Sequence, residues 1–488
     1  MLFEAFKRIR EERPGDPAFL VASGDRSLPI NWRQFTDDID LVVRLVRKYA
    51  QNDKVMLLGE NSYEWVVAHA ATVFAGATVL PADVNLSARE IADRIRFAGV
   101  SVLVYSALYS DKAHEVRELV PGLMTGGFGS LKTERFIDGV RRLFKPADSI
   151  WNLDSVDTKS VSMIVFTSGT TSTPRGAELT LEGLEACVES WGAALSVKPG
   201  DRTLMLLPLH HIYGLCATYL FLAKGAALGV CPDFRRLYDA VERFRVNYVA
   251  LVPALAELLA QKIEHRGKSA EDALGQPLDW VLAGGASLPR LTYERLSALG
   301  VRTLTAYGLT ETTALYSVAP AADGPHAGSA GKVPSFPGVE TKVSESGELL
   351  IRGPSVMKGY FREPERTAEA IDGEGWFHTG DVGRIDEEGY VWITGRKSRT
   401  IVLSSGKKVA PEELEDMLLG IPGVREALVS GDSQTREIKA EVYGTIPEDS
   451  LRRAVCDLNL RLPVYKRINE VVVRDAPFER TSSGKIRV

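Results

Sequence analysis

The chain has 488 residues, of which 45% are hydrophobic and 25% charged, and its formal net charge is −5. That length exceeds one ordinary core and predicts two or more domains, while the mildly acidic balance gives no sign of a nucleic-acid surface. The four cysteines, Cys187, Cys216, Cys231 and Cys456, stand apart with no CxxC or Cys/His spacing, so no metal or disulfide framework is expected and a reducing cytoplasm is the simplest home.

The opening MLFEAFKRIREERPGDPAFL mixes charges throughout and lacks the apolar stretch of a signal peptide. Short apolar runs follow in turn: KVMLL (54–58), ATVLP (77–81), SVLVY (101–105), SMIVFT (162–167), TLMLLP (203–208), YVALV (248–252) and WVLAG (280–284). Each reads as a buried strand, and helical patterns lie between most of them, as in PALAELLAQKIEH after Val252. No apolar run reaches transmembrane length. The nearest, Tyr213 to Cys231, is broken by Lys224 and glycines and predicts a buried helix followed by a strand.

Strand–helix alternation predicts an α/β fold: a large N-terminal body of parallel-rich sheets covered by helices. From about Thr341 the pattern changes to short strands close behind turn residues, GELLIRG and GYVWITG with DGEG and EEG between them, which predicts a small β-rich region. After GRKSRT (395–400) it changes again. Ile401–Leu403 reads as a strand and Pro411 opens a helix with Glu412 and Glu413 in its first turn. Glu437–Tyr443 alternates as a strand, and a further helix starts near Glu448. The expected division is a body over residues 1–395 and a smaller, mobile α+β C-terminal domain over 396–488.

One loop carries a chemical signal of its own. TSGTTSTPRGAELT, Thr167 to Thr180, follows the strand SMIVFT and precedes a helix starting near Thr180. A strand–loop–helix gathers exposed backbone N–H groups and hydroxyls at one point, which suits an anion, and the composition suggests a polyphosphate. The GxxxxGK[ST] spacing of a Walker loop is absent. A Ser/Thr-rich surface turn is the bland alternative.

Four further stretches follow in order: AYGLTETT (306–313), WFHTGDVGRID (376–386), ITGRKSRTIVLSSGKKVAPEELE (393–415) and RTSSGKIRV (480–488). With the loop they resemble the signature motifs of the adenylate-forming enzymes, the superfamily of AMP-dependent acyl- and aryl-CoA synthetases, luciferases and peptide-synthetase adenylation domains. GENSYEWVVAHAATVFAGATVLP (59–81) and GELLIRGPSVMKGYFREPERT (347–367) extend the resemblance to nearly the whole chain. It implies a two-step ligase using ATP, Mg2+ and coenzyme A. A carboxylate attacks the α-phosphate of ATP, and a thiol then displaces AMP from the acyl-adenylate.

The resemblance also implies roles. Thr167, Ser168, Gly169, Thr170 and Thr171 would cradle the β- and γ-phosphates, with Arg175 in the cationic slot. Thr310 would touch the α-phosphate and Glu311 would hold Mg2+. Tyr307 would lie against adenine, and Asp381 and Arg396 would reach the ribose. Lys485, on the C-terminal domain, would screen the repulsion between substrate carboxylate and α-phosphate. His211, in LPLHHIYGL, would stand near the acyl–AMP junction, and LAGGASLP (282–289) would wall the acyl and adenine pockets. Read singly, Asp381 could cap a turn, Glu311 could be a first-turn helix acid, Lys485 a tail lysine and His211 a core histidine. The order of the motifs speaks against those readings.

The chain departs from the family pattern in places. Ser172 stands where glycine is usual, Arg175 where lysine is usual, and Ser398 fills the hinge slot usually held by Asp or Lys; the chain also ends soon after Lys485. HHIYGLCATYLFLAKG carries no acid to pair an α-amino group, which disfavours amino-acid substrates. The apolar surroundings favour a fatty or aryl acid. The expected partners are that acid and coenzyme A, with a phosphopantetheinyl carrier protein as the alternative thiol. A non-catalytic nucleotide-binding relative is the reading from another class, and Glu311, Asp381, Arg396 and Lys485 argue against it.

Overall fold

Lys54–Leu58 lies near the middle of a seven-stranded sheet whose order is Gly359–Tyr360, Arg175–Thr180, Val161–Thr167, Thr78–Pro81, Lys54–Leu58, Val102–Tyr105, Met124–Gly127. The computed structural model describes the chain except residues 1, 24–25, 51–53, 129–148, 154–155, 168–174, 325, 404–406, 433–436, 480–485 and 487–488. From Val161–Thr167 to Met124–Gly127 the strands run parallel, as the apolar runs of all but the edge strand Met124–Gly127 predict.

The other end of this sheet corrects the reading of the loop. Arg175–Thr180 is a strand, antiparallel to Val161–Thr167, with Thr167 opposite Arg175. The unit is therefore strand, connection, strand, and only then helix. Within this strand Ala177 and Leu179, which share a face, are fully buried, while Glu178 between them is half-exposed. Thr180 does start the helix Leu181–Ala194, its hydroxyl accepting the Gly183 N–H at 3.0 Å.

Two more sheets precede residue 320. Tyr248–Leu251, Trp280–Ala283 and Arg302–Tyr307 run parallel, with Ser317–Val318 antiparallel at the edge. Arg26–Asn31, Pro17–Ser23, Ala227–Val230 and Arg202–Met205 form the other. The helix Ile212–Ala223 is buried on nearly every face, which is why its sequence is apolar without a polar stripe. The strand Ala227–Val230 follows it, as predicted. Among the described residues no helix is long and apolar enough to cross a membrane.

The β-rich region is an antiparallel sheet in the order Glu340–Val343, Glu348–Arg352, Phe377–Ile385, Val391–Arg396. Its register sets Asp381 opposite Arg396. Beyond it, Val424–Gly431, Ile438–Gly444 and Glu470–Arg474 form a three-stranded sheet with the helices Pro411–Leu419 and Glu448–Arg461. Pro411 occupies the first turn of its helix, where a missing N–H costs nothing. This segment has an apolar core of its own, built from residues such as Ile401, Leu414, Ala440, Leu451 and Val471.

Candidate active site

Asp381 sits in the strand Phe377–Ile385 and is only 3% exposed. Buried charge is tolerated when each oxygen is engaged, and here both are. The Tyr307 hydroxyl, at the end of the strand Arg302–Tyr307, donates to Oδ2 at 2.5 Å, and Arg396 Nε pairs with Oδ1 at 2.8 Å. The Asp381 N–H donates to Thr379 Oγ1 at 3.1 Å, which fixes the turn. Burial, then the Asp381 charge, pushes the Tyr307 hydroxyl well above the usual phenol range.

The strand that ends at Tyr307 leads into Gly308–Leu309 and a single 3-10 turn, Thr310–Thr312. Thr313 and Ala314 follow with φ of 48° and 59°, a left-handed pair without glycine. Gly308 is required beside them, since a Cβ there would stand 2.2 Å from the Ala314 backbone. The turn is held from outside: Thr313 Oγ1 donates to Ser355 O at 2.8 Å, and the Met357 N–H donates to Glu311 O at 2.8 Å.

This fixing aims Glu311 at Tyr360, whose hydroxyl donates to Glu311 Oε1 at 2.9 Å. The Arg175 guanidinium lies 5.8 Å from the Tyr360 ring centroid. Its Nε is buried and has no hydrogen-bond partner among the described residues. Burial, then the Glu311 charge, raises the Tyr360 hydroxyl above the phenol range, against an opposing effect of Arg175. Thr167 Oγ1 is 3.4 Å from Arg175 O, so its side chain bonds across the hairpin it begins. Arg175, Tyr360 and Glu311 thus form a cation–phenol–carboxylate row, with Thr310 beside Glu311.

His211 precedes the helix Ile212–Ala223 as its N-terminal cap residue, its ring 4.3 Å from that of His210. Burial, then the neighbouring His211, pushes His210 down to about 4, so it is neutral at pH 7; its Nε2 is 3.6 Å from Asp83 Oδ1. Two residues on, Tyr213 donates to Leu282 O at 2.8 Å. This hydrogen bond joins the start of the apolar helix to LAGGASLP. A Cβ at Gly284 would meet the Tyr213 Cζ at 2.9 Å, so glycine admits the ring.

The structure brings Tyr307, Asp381 and Arg396 together, and Arg175 and Glu311 around Tyr360, with Thr167 opposite Arg175 on the neighbouring strand. Ser168, Gly169, Thr170, Thr171, Ser172 and Lys485 lie outside the described residues. Ser398 occupies the 3-10 turn Lys397–Arg399 directly after the strand Val391–Arg396. Sequence reasoning missed Tyr213, Glu348, Tyr360 and Lys397. Glu348 and Tyr360 stand in GELLIRGPSVMKGYFREPERT, and Tyr213 in LPLHHIYGL, so the motifs were recognised without these members being singled out.

Residues 6–361 match the family model described as AMP-binding enzyme. A long-chain-fatty-acid–CoA ligase, FadD13 of Mycobacterium tuberculosis, is 29% identical, the match covering 90% of this chain and 87% of that protein. The 4-coumarate–CoA ligase 2 of Oryza sativa subsp. japonica is 31% identical over 89% of this chain and 82% of its own. Among solved structures, ATP-bound MatB from Rhodopseudomonas palustris superimposes with a TM-score of 0.83 at 25% identity, covering 100% of this chain and 97% of that one.

Proposed function

The chain belongs to the AMP-binding enzyme family, and from that premise we propose that it activates a carboxylic acid with ATP and passes the acyl group to the thiol of coenzyme A. In the first step a carboxylate oxygen bonds to the α-phosphorus and pyrophosphate leaves. In the second the thiol sulfur bonds to the acyl carbon, and AMP leaves with the electron pair. Adenylation is needed because a carboxylate oxygen is itself a hopeless leaving group. The barrier lies in bringing two anions together, which calls for fixed positive charge and oriented donors.

The observation that carries this reading is the division of the site into two ends. Asp381, between Tyr307 and Arg396, is a buried carboxylate suited to a pair of ribose hydroxyls, since each oxygen has lone pairs beyond those its partners use. Tyr307 would lie against the base. At the other end Arg175 supplies the charge for the β- and γ-phosphates, along with Thr167 and the loop residues 168–171. Thr310 would reach the α-phosphate between the two ends.

Mg2+ fits Glu311, a hard carboxylate that Tyr360 holds through one oxygen. When bound it would supply positive charge against the polyphosphate. Lys485 would screen the carboxylate from the α-phosphate, as the resemblance implies. His211 and Tyr213 border the acyl side, and the uncharged helix Ile212–Ala223 favours a fatty or aryl acid.

Two reactions at one site call for rearrangement. We place the body at 1–395 and the moving domain at 396–488. Support comes from the separate apolar core of the C-terminal segment. A cytoplasmic setting accords with the buried free thiols of Cys187, Cys216 and Cys231.

The test is ATP–pyrophosphate exchange across short, medium, long-chain and aryl acids, followed by a choice of coenzyme A or phosphopantetheinyl carrier as thiol. Exchange with at least one acid, and thioester formation with coenzyme A, is expected. Lys485→Ala should abolish exchange yet leave thiolysis of a supplied acyl-adenylate largely intact. Failure of every acid would favour a non-catalytic relative, and a strict carrier requirement would identify a carrier loader.

A further inference from the structure

Four consecutive residues divide their charges between two parts of the molecule. Arg396 pairs with Asp381 at 2.8 Å, and Lys397 Nζ pairs with Glu348 Oε2 at 3.1 Å. Both carboxylates belong to the antiparallel sheet of the body. After Ser398 the direction reverses. Arg399 pairs with Glu415 at 2.6 Å and Glu412 at 3.1 Å, both on the helix Pro411–Leu419, and donates to Val429 O at 3.2 Å. Ser398 is the residue between the grips.

Glu348 has a second connection. Its Oε1 accepts the Gly380 N–H at 3.0 Å, and His378 Nδ1 lies 3.2 Å from Oε2. Gly380 immediately precedes Asp381. One carboxylate therefore holds both the turn that presents Asp381 and the cation beside Ser398. The two sides of the Glu348–Lys397 pair are unequal. The Glu348 side chain is 5% exposed and that of Lys397 is 61% exposed. Lys397 can leave into water, while Glu348 would keep its bonds to Gly380 and His378.

We propose that Lys397 is a releasable latch and Glu348 its fixed catch, a positioning residue that links the Asp381 turn to the pivot at Ser398. With the pair closed, the residue before Ser398 is tied to the antiparallel sheet through Glu348. With it open, the backbone at Ser398 is free to turn, and Asp381 stays in place because Glu348 still grips Gly380. The latch takes the role of a charged side chain at 398, where this chain has serine. The idea rests on the two-step reading for its catalytic consequence, but not for its mechanical one.

The experiment uses the full chain with Lys397→Met, Lys397→Arg and Glu348→Gln. Hydrogen–deuterium exchange needs no substrate. Exchange across residues 396–400 should rise about threefold in Lys397→Met, the scale of one partly exposed ion pair. The body strands should keep their protection, and Lys397→Arg should return the segment to the wild-type rate. Pyrophosphate exchange and thiolysis of a supplied acyl-adenylate, measured separately, should change their ratio in Lys397→Met. Glu348→Gln should change the same ratio and also raise the KM for ATP. Unchanged hydrogen exchange in Lys397→Met, or half-reactions that shift in strict proportion, would overturn the latch. A wild-type protein with neither half-reaction would overturn the two-step reading instead, and hydrogen exchange would still decide the latch.

Discussion

The two ends of the candidate site are built in opposite ways. At the Asp381 end every group already has a protein partner: Tyr307 on one oxygen, Arg396 on the other and Thr379 on the backbone N–H. At the Glu311 end, Arg175 Nε has no partner among the described residues and Glu311 is held through one oxygen. An end that is satisfied before ligand arrives contributes to fold stability as well as binding. An end with open valence is organised for a ligand that brings its own charge. The same substitution chemistry should therefore register differently at each.

Asp381→Ala should have the largest combined effect. It leaves Tyr307 and Arg396 without their acceptor, so stability should fall by about 2 kcal/mol and adenylation should be lost; thermal unfolding with pyrophosphate exchange reads both. Glu311→Ala should separate the two quantities. Adenylation should fall about 100-fold or more, while stability changes by about 1 kcal/mol or less. Were Glu311→Ala the more destabilising of the two, the contrast between the ends would be broken.

Arg175→Ala should be milder, weakening MgATP about tenfold with a stability change of about 1 kcal/mol or less, because it removes a contact with Tyr360 together with a buried Nε that lacks a partner among the described residues. Unchanged adenylation in that variant would mean that the 167–175 region is not the pyrophosphate cradle. Tyr360→Phe should be the smallest change. It frees one Glu311 oxygen, and a few-fold drop in activity at higher Mg2+ demand is expected, measured by titrating Mg2+ at fixed ATP.

Much of the body was legible because parallel strands buried on both faces are written as unbroken apolar runs, and Lys54–Leu58 and Trp280–Ala283 fall where such runs stand. Arg175–Thr180 was not, because its Arg and Glu interrupt the run and its pairing depends on a hairpin that the Ser/Thr/Gly/Pro composition disguises. The N-terminal helix Leu2–Glu12 buries Leu2, Phe3, Phe6 and Ile9, a readable spacing obscured by its many charges. Within the site, motif order pointed to Asp381, Arg396 and Tyr307, which the structure brings together. Tyr213 and Glu348 stayed hidden because their importance lies in what crosses them: a carbonyl at Leu282, and an N–H at Gly380 with a cation from Lys397. Such pairings are fixed by the tertiary fold and leave no local pattern.

The left-handed pair Thr313–Ala314 bears on how this protein would respond to directed evolution. Each such residue without glycine costs about 1–2 kcal/mol. A screen for heat resistance alone would be drawn to Ala314→Gly, which relieves that cost where the backbone has φ of 59°. The same change would slacken the segment that orients Thr310 and Glu311, so the hardier variants should be the slower catalysts. Selection for turnover at ordinary temperature should restore alanine, and position 308 should accept glycine alone under either regime, because the Ala314 backbone fills the place of its Cβ.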